Sequence, residues 1–138
     1  MKRAAALAFV SAAIGSVACL APAPTHSESA TPEVSRRIIE RRDIAGSDEE
    51  LRLMLVAFPP GYSNPAHRHP VAGLCYVIKG TAETQYDGGT AKVVREGGSF
   101  QDEATKTHLL FRNVSTTDPL TFVCAAKIKK DQPYLLPQ

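Results

Sequence analysis

Residues 61–80, GYSNPAHRHPVAGLCYVIKG, carry the features from which the fold and the chemistry of this chain are inferred. Residues 74–79 are almost entirely apolar, which is typical of a strand packed inside a barrel or sandwich. His67 and His69 are separated by one residue, so in an extended chain their imidazoles point to the same face. With a third imidazole from elsewhere they would form a metal-ligand set with open positions. The tripeptide alone fits two exposed loop histidines equally well.

The rest of the chain from residue 34 onward has the pattern of short strands divided by turns. Segments rich in β-branched and aromatic residues alternate with Gly, Pro and Asp, and no stretch shows a sustained helical period with caps. Predicted strands cover residues 34–41, 51–58, 74–79, 81–86, 91–95, 99–101, 108–112 and 120–128. Turns at such intervals predict an all-β fold, a single small β-barrel or jelly roll.

Length and charge limit the architecture and the partners. A chain of 138 residues favours one domain. Its 16 Lys and Arg residues oppose 14 Asp and Glu residues, and Lys2 and Arg3 account for the difference. Because the remaining body is neutral, it offers no electrostatic footprint for phosphate backbones, and we expect no nucleic-acid partner.

The first residues have the pattern of an export signal. Two basic residues precede an apolar run that ends near residue 20, and we predict a signal peptide over residues 1–21. Ala18 followed by Cys19 fits ordinary cleavage, and it also loosely resembles a bacterial lipobox, which would attach a lipid to Cys19. Both alternatives predict a periplasmic or secreted protein. Membrane contact would come only through the signal or that lipid.

A change in composition separates this signal from the folded part. Residues 22–33 are rich in Pro, Ser, Thr and Ala and predict a flexible linker. The folded domain is expected over residues 34–138.

Two groups of residues resemble the two motifs of the cupin family. Gly61, the pair of histidines and Gly80 have the spacing of the first motif, which is Gly, five residues, His-x-His, three or four residues, Glu, six residues and Gly. Gly97 and His108, followed by an asparagine, have the spacing of the second. The family's Glu falls on Gly73, and Glu103 and Thr105 replace the second motif's Pro and Gly.

The resemblance to the cupin motifs implies a function for the three histidines. It implies that His67, His69 and His108 bind a divalent metal ion, which would be Fe, Mn, Ni or Zn. The chain would then be an exported metal-binding cupin, with an oxygenase-type reaction on a small organic substrate as one reading. The alternative is a non-catalytic module that holds a small ligand or a metal ion. A homodimer formed by strand exchange is also compatible with the resemblance.

Several other residues are candidates for the cavity or for contacts behind the ligands. If a strand runs unbroken over residues 69–77, Cys75 points inward beside the histidines and a carboxylate introduced at Gly73 should raise metal affinity. Cys75 is equally described as a small buried apolar residue, or as a disulfide partner of Cys124. Gln85 could supply an oxygen ligand, and Asp102 could orient an imidazole; solvent exposure is the alternative for both.

Overall fold

The computed structural model of the protein describes residues 33–138, and short antiparallel strands make up most of that range. They are β1 Ser35–Asp43, β2 Glu49–Phe58, β3 Ser63–Asn64, β4 His67–Arg68, β5 Gly73–Lys79, β6 Thr81–Tyr86, β7 Lys92–Arg95, β8 Ser99–Asp102, β9 His108–Asn113, β10 Leu120–Lys129 and β11 Leu136–Pro137. Alternation along β2 and β10 explains why these segments form strands, because every second side chain is buried. The all-β prediction is confirmed.

The strands form two sheets. One has the order β1-β2-β10-β5-β8, and the other has the order β11-β4-β9-β6-β7, with β3 paired to β9. Neighbours along each sheet are often distant in sequence, as in the jelly-roll arrangement that the sequence predicts. Because β4 lies beside β9, the topology carries residues near position 67 to residues near position 108.

The core lies between the sheets and contains a cluster of aromatic rings. Phe58, Phe111 and Phe122 are buried and their rings meet edge to face, with centroids 5.1 to 5.6 Å apart. Phe100 joins them from β8. Such edge-to-face pairs add to the hydrophobic stabilisation of the core. This cluster forms an apolar floor beneath the site described below.

The structure differs from the predicted strands in one respect that matters for the site. The chain is not a continuous strand over residues 69–77, because β4 ends at Arg68 and β5 begins at Gly73. The two prolines that flank the histidines, Pro65 and Pro70, cannot donate to a ladder, and they bound the two-residue strand β4. The predicted signal peptide, Cys19 and residues 22–32 of the linker lie outside the described residues. Within residues 33–138 no helix is long and apolar enough to cross a membrane.

Candidate metal centre

The three histidines of the two motifs lie together between the sheets. His67 is in β4, His69 follows that strand, and His108 begins β9, where it is paired directly with His67. All three are at most 5% exposed. One ring nitrogen from each lies within 4.8 Å of those of the other two. The structure therefore brings together the three residues that the spacing singled out.

Backbone carbonyls fix the orientation of the first two imidazoles. His67 Nδ1 lies 2.8 Å from the carbonyl oxygen of Pro65, and His69 Nδ1 lies 3.0 Å from that of Tyr134. Because a carbonyl only accepts hydrogen bonds, Nδ1 carries a proton in both rings, and Nε2 is the nitrogen available to bind a metal ion. Metal-bound histidines in proteins use the same arrangement, with the far nitrogen donating to a carbonyl.

The third imidazole is held by a side chain on the neighbouring strand. His108 Nε2 lies 2.7 Å from Thr84 Oγ1, which is buried on β6, and the ring stacks on Tyr86 with centroids 4.0 Å apart. This leaves Nδ1 of His108 free. Among the described residues, His69 Nε2 and His108 Nδ1 are the buried side-chain nitrogens without a hydrogen-bond partner. Buried polar atoms of this kind call for a ligand or an ion.

Burial favours the uncharged form of two of these histidines, His67 and His108. Removal from water lowers the pKa of His67 below its ordinary value of 6.5, and the neighbouring His69 lowers it further. Burial lowers the pKa of His108 to about 3, and the electrostatic interaction with the nearby imidazoles of His67 and His69 acts in the same direction. A neutral imidazole is the form that binds a metal ion, so His67 and His108 are in their ligand form at neutral pH.

A buried carboxylate faces the two unpaired nitrogens. Asp102, the last residue of β8, is 4% exposed, and its Oδ1 lies 3.5 Å from His69 Nε2 and 3.9 Å from His108 Nδ1. Two hydroxyls donate to it: that of Tyr86 to Oδ1 at 2.9 Å and that of Tyr134 to Oδ2 at 2.8 Å. The structure thus places Asp102 inside the cluster rather than in a solvated turn.

The two tyrosines remain donors because of where they lie. Burial and the adjacent carboxylate raise the pKa of both Tyr86 and Tyr134 well above the ordinary value of 10.0. Their hydroxyls therefore keep their protons and hold the two oxygens of Asp102 in fixed directions. Sequence reasoning missed both tyrosines and Thr84, because a lone hydroxyl in a strand or terminal segment carries no motif.

The structure gives a reason for glycine at position 73, where the family has Glu. It pairs directly with Asp102 across β5 and β8, and a Cβ at position 73 would overlap the hydroxyl of Tyr134. A carboxylate introduced at Gly73 would therefore have to displace the Tyr134 hydroxyl before it could reach the histidines, and its effect on metal affinity stays a prediction. The carboxylate beside the histidines comes from the partner strand instead.

The cluster opens into a cavity with an apolar wall. The cavity has a volume of about 370 Å³ and is bordered by the aromatic floor and by residues from β1, β2 and the segment around Tyr134. Arg36 lies at its edge, donates to Asn64 Oδ1 at 2.7 Å, and places its guanidinium 5.4 Å from the centre of the Phe58 ring. A small organic molecule could thus contact apolar side chains and a positive charge at once.

The remaining candidates fall into two places. Cys75 and Cys124 form a disulfide across β5 and β10, with both sulfurs close to Asp102. Gln85 is not near the histidines, because Thr84 occupies the inward face of β6 and the Gln85 amide donates outward to the carbonyl of Gly89 at 3.0 Å. Of the two alternatives for Gln85, the structure shows the exposed one rather than an oxygen ligand, because alternation in the strand turns its side chain away from the histidines.

Structural comparison finds the same fold in proteins of diverse function. A cupin superfamily protein from Desulfitobacterium hafniense is 16% identical over 70% of this chain and 79% of its own, with a TM-score of 0.54. The DMSP lyase DddQ from Ruegeria pomeroyi is 18% identical over 76% of this chain and 51% of its own, with a TM-score of 0.60. Identities this low speak for the fold alone.

An oxalate oxidase, solved with the substrate analogue glycolate, is more similar in sequence. It is 26% identical over 62% of this chain, with a TM-score of 0.52, and this chain spans 45% of that protein. No curated protein matches the sequence. The sequence model of the cupin domain matches residues 54–126, which contain all three clustered histidines and Asp102. The chain belongs to the cupin family.

Proposed function

We propose that this protein binds a divalent metal ion in its cavity and holds a small organic molecule beside it. The proposed ligands are three neutral imidazoles and one carboxylate, from His67, His69, His108 and Asp102. The observation that carries the proposal is the pair of buried, unpartnered nitrogens on His69 and His108, both facing Asp102. Without a ligand or an ion, each of these buried nitrogens would lack a partner, which costs about 1–3 kcal/mol of stability per atom.

The distances support a common ion. Metal–nitrogen and metal–oxygen bonds of about 2.1 Å place neighbouring ligand atoms roughly 3.0 to 3.4 Å apart. The separations from Asp102 Oδ1 to the two nitrogens, 3.5 and 3.9 Å, need only a small contraction to reach that range. Three imidazoles and a carboxylate suit Fe, Mn, Ni or Zn, and the donor set does not choose among them.

The bound ion would act as a Lewis acid toward an oxygen or sulfur of the organic molecule. The chain's own residues would do the rest. Thr84 and the two carbonyls orient the imidazoles, and the two tyrosine hydroxyls hold Asp102. The aromatic floor excludes water from the apolar part of the molecule.

We propose a small carboxylate as the organic molecule to test first. Arg36 lies at the cavity edge, close enough for its positive charge to contribute to the lowered pKa of His67. An anion that reaches the metal site would therefore also lie near a guanidinium, which pairs well with carboxylates. Similarity to an oxalate oxidase solved with glycolate supports the same class.

Metal analysis of the purified protein tests the central proposal. We expect about one equivalent of a divalent ion per chain, lost in His67→Ala/His69→Ala. A matched control is His26→Ala, which removes a histidine outside the cupin match. No metal after aerobic and iron-replete preparation, with the protein folded, would contradict the proposal.

A second, more specific proposal is that the protein catalyses a reaction. We propose an oxygenase-type activity on small carboxylates, thiols or phenols, with a non-catalytic ligand- or metal-binding module as the alternative. Oxygen uptake by the metal-loaded protein with a panel of these compounds distinguishes the two. Binding measured by calorimetry without oxygen uptake favours the module.

Export and dimerisation also stand as proposals. The Cys75–Cys124 disulfide supports an oxidising compartment, periplasmic or extracellular. Cell fractionation of the full chain tests this, and a Cys19→Ser variant tests lipid attachment.

We propose that the partner of the homodimer covers the outer face of the five-stranded sheet. Apolar side chains form two rows there across β5, β10 and β2, which are Leu74-Ala125-Leu53 and Tyr76-Val123-Leu55. Analytical ultracentrifugation of the wild type and Leu74→Glu/Tyr76→Glu tests it.

A further inference from the structure

A second group of potential metal ligands lies directly behind the histidines. Cys75 Sγ, Cys124 Sγ and an oxygen of Asp102 are all within 4.8 Å of one another, and the three residues are buried. In the structure the two sulfurs are joined in a disulfide. Because the thiolate is the form of cysteine that binds metals, the group is blocked as long as that bond is intact.

Asp102 belongs to both groups. Its Oδ1 faces His69 and His108, whereas its Oδ2 lies 3.4 Å from Cys75 Sγ and 3.9 Å from Cys124 Sγ. One carboxylate thus separates a set of imidazole nitrogens from a pair of sulfurs. A carboxylate with its two oxygens turned to two ligand sets can serve either set, or bridge them.

We infer that reduction of the Cys75–Cys124 disulfide creates a second, thiophilic metal site made of the two thiolates and Asp102. The inference rests on the proposed function only in that this second site adjoins the proposed histidine site. Thiolate ligands select ions such as Cd²⁺, Zn²⁺ and Cu⁺, whereas imidazoles and a carboxylate suit a broader set. The redox state of the disulfide therefore determines which metals the protein holds.

The chemistry balances with a dithiol as the reductant. The dithiol supplies two electrons and two protons, the S–S bond breaks, Cys75 and Cys124 become thiols, and the reductant becomes a disulfide. A divalent ion that then binds both sulfurs releases two protons to solvent. Cys124 lines the cavity, which gives a small dithiol a route to the bond.

The strand geometry favours a built site after reduction. Cys75 and Cys124 are direct partners in the pairing of β5 with β10, and β8, which carries Asp102, is the next strand beyond β5. Hydrogen bonds of the ladders hold these backbones independently of the sulfurs. The two thiols would therefore stay adjacent on the inner face when the bond is broken.

Cd²⁺ binding to the oxidised and reduced full chain tests the inference. A Cys19→Ser background leaves only Cys75 and Cys124 to be counted as thiols. We expect the reduced protein to bind Cd²⁺ at least tenfold more tightly than the oxidised protein, with a sulfur-to-metal charge-transfer band that the oxidised protein lacks. Circular dichroism before and after reduction checks that the fold is retained.

Two variants separate this site from the histidine site. Cys75→Ser/Cys124→Ser should lose the charge-transfer band but keep the metal bound by the histidines. His67→Ala/His69→Ala should keep the band in its reduced form even if the histidine site proves not to bind metal. The inference is overturned if reduced, folded protein with two titratable thiols shows no band and no gain in affinity, or if reduction unfolds the chain.

Discussion

The hydroxyl of Tyr134 lies in the space that any side chain at Gly73 would require. The same hydroxyl donates to Asp102, and the carbonyl of Tyr134 accepts from His69. One residue from the segment after β10 thus orients both a carboxylate and an imidazole. Its entry into the site depends on a glycine at the position where the cupin motif has Glu. The departure from the motif and the position of Tyr134 are therefore one structural feature.

A double-mutant cycle tests this dependence. Gly73→Ala should destabilise the wild type by about 1–3 kcal/mol, because it overpacks the space beside Tyr134. In a Tyr134→Ala background the same change should cost much less, and a Tyr134→Phe background should lie between the two. Urea unfolding of the six proteins, which are the three backgrounds with and without Gly73→Ala, gives the coupling free energies. Equal costs in every background would show that position 73 and Tyr134 are independent.

Replacing the buried carboxylate should weaken metal binding. Asp102→Asn keeps the size of the side chain but removes its charge, so we expect the metal dissociation constant to rise about 10- to 100-fold. Glu103→Gln is the matched control, since the neighbouring carboxylate is 40% exposed and pairs with Lys106. Calorimetric titration measures both. An unchanged affinity in Asp102→Asn would remove this residue from the ligand set.

The hydrogen bond behind His108 should matter for the metal and less for the fold. Thr84→Val removes the oxygen that contacts Nε2 while preserving shape, and we expect metal affinity to fall at least tenfold. Thr121→Val, on the outer face of β10, serves as the control because that side chain does not face the cluster. Metal titration of both variants, with thermal unfolding of the metal-free proteins, separates ligand orientation from stability.

Acid should destabilise the metal-free protein through His108. In the unfolded chain its pKa is near 6.5, and in the folded chain it is about 3. Between these values the unfolded state binds a proton that the folded state does not, so the free energy of unfolding falls as the pH falls, by up to about 1.4 kcal/mol per pH unit. Above pH 6.5 this contribution is constant.

Urea unfolding between pH 7 and pH 4, with a chelator present, measures that slope. His108→Gln removes the group and should flatten the curve. His26→Gln should leave it unchanged because His26 lies outside the cupin match. Identical slopes for wild type and His108→Gln would show that folding does not lower the pKa of His108.

Sequence reasoning reached the sheets and the histidines because both depend on local periodicity and fixed spacing. Strand alternation and turn residues are written in neighbouring positions, and the pairing of β4 with β9 then carries His67 to His108. The motif spacing that predicted a common site for His67, His69 and His108 is thus realised through strand pairing.

The groups around the histidines were harder to predict because they come from distant parts of the chain. Tyr134 reaches the site from the segment after β10, and Asp102 reaches it as the direct partner of Gly73. Neither relation has a signal in the sequence, since cross-strand register is settled by the whole sheet. For Gln85 the sequence left the cavity and solvent as alternatives, and in β6 it is Thr84 that points inward. A shift of one residue reverses such an assignment.

The disulfide has a consequence for how this chain reaches its fold. Cys75 and Cys124 meet only because β5 and β10 pair in one register, and a slip of a single residue would turn one sulfur to the opposite side of the sheet. In an oxidising environment, this disulfide would therefore form only in molecules in which the two strands, remote in sequence, have paired in the native register. Molecules with misaligned strands would keep two free thiols, and enzymes that catalyse thiol–disulfide exchange could act on them.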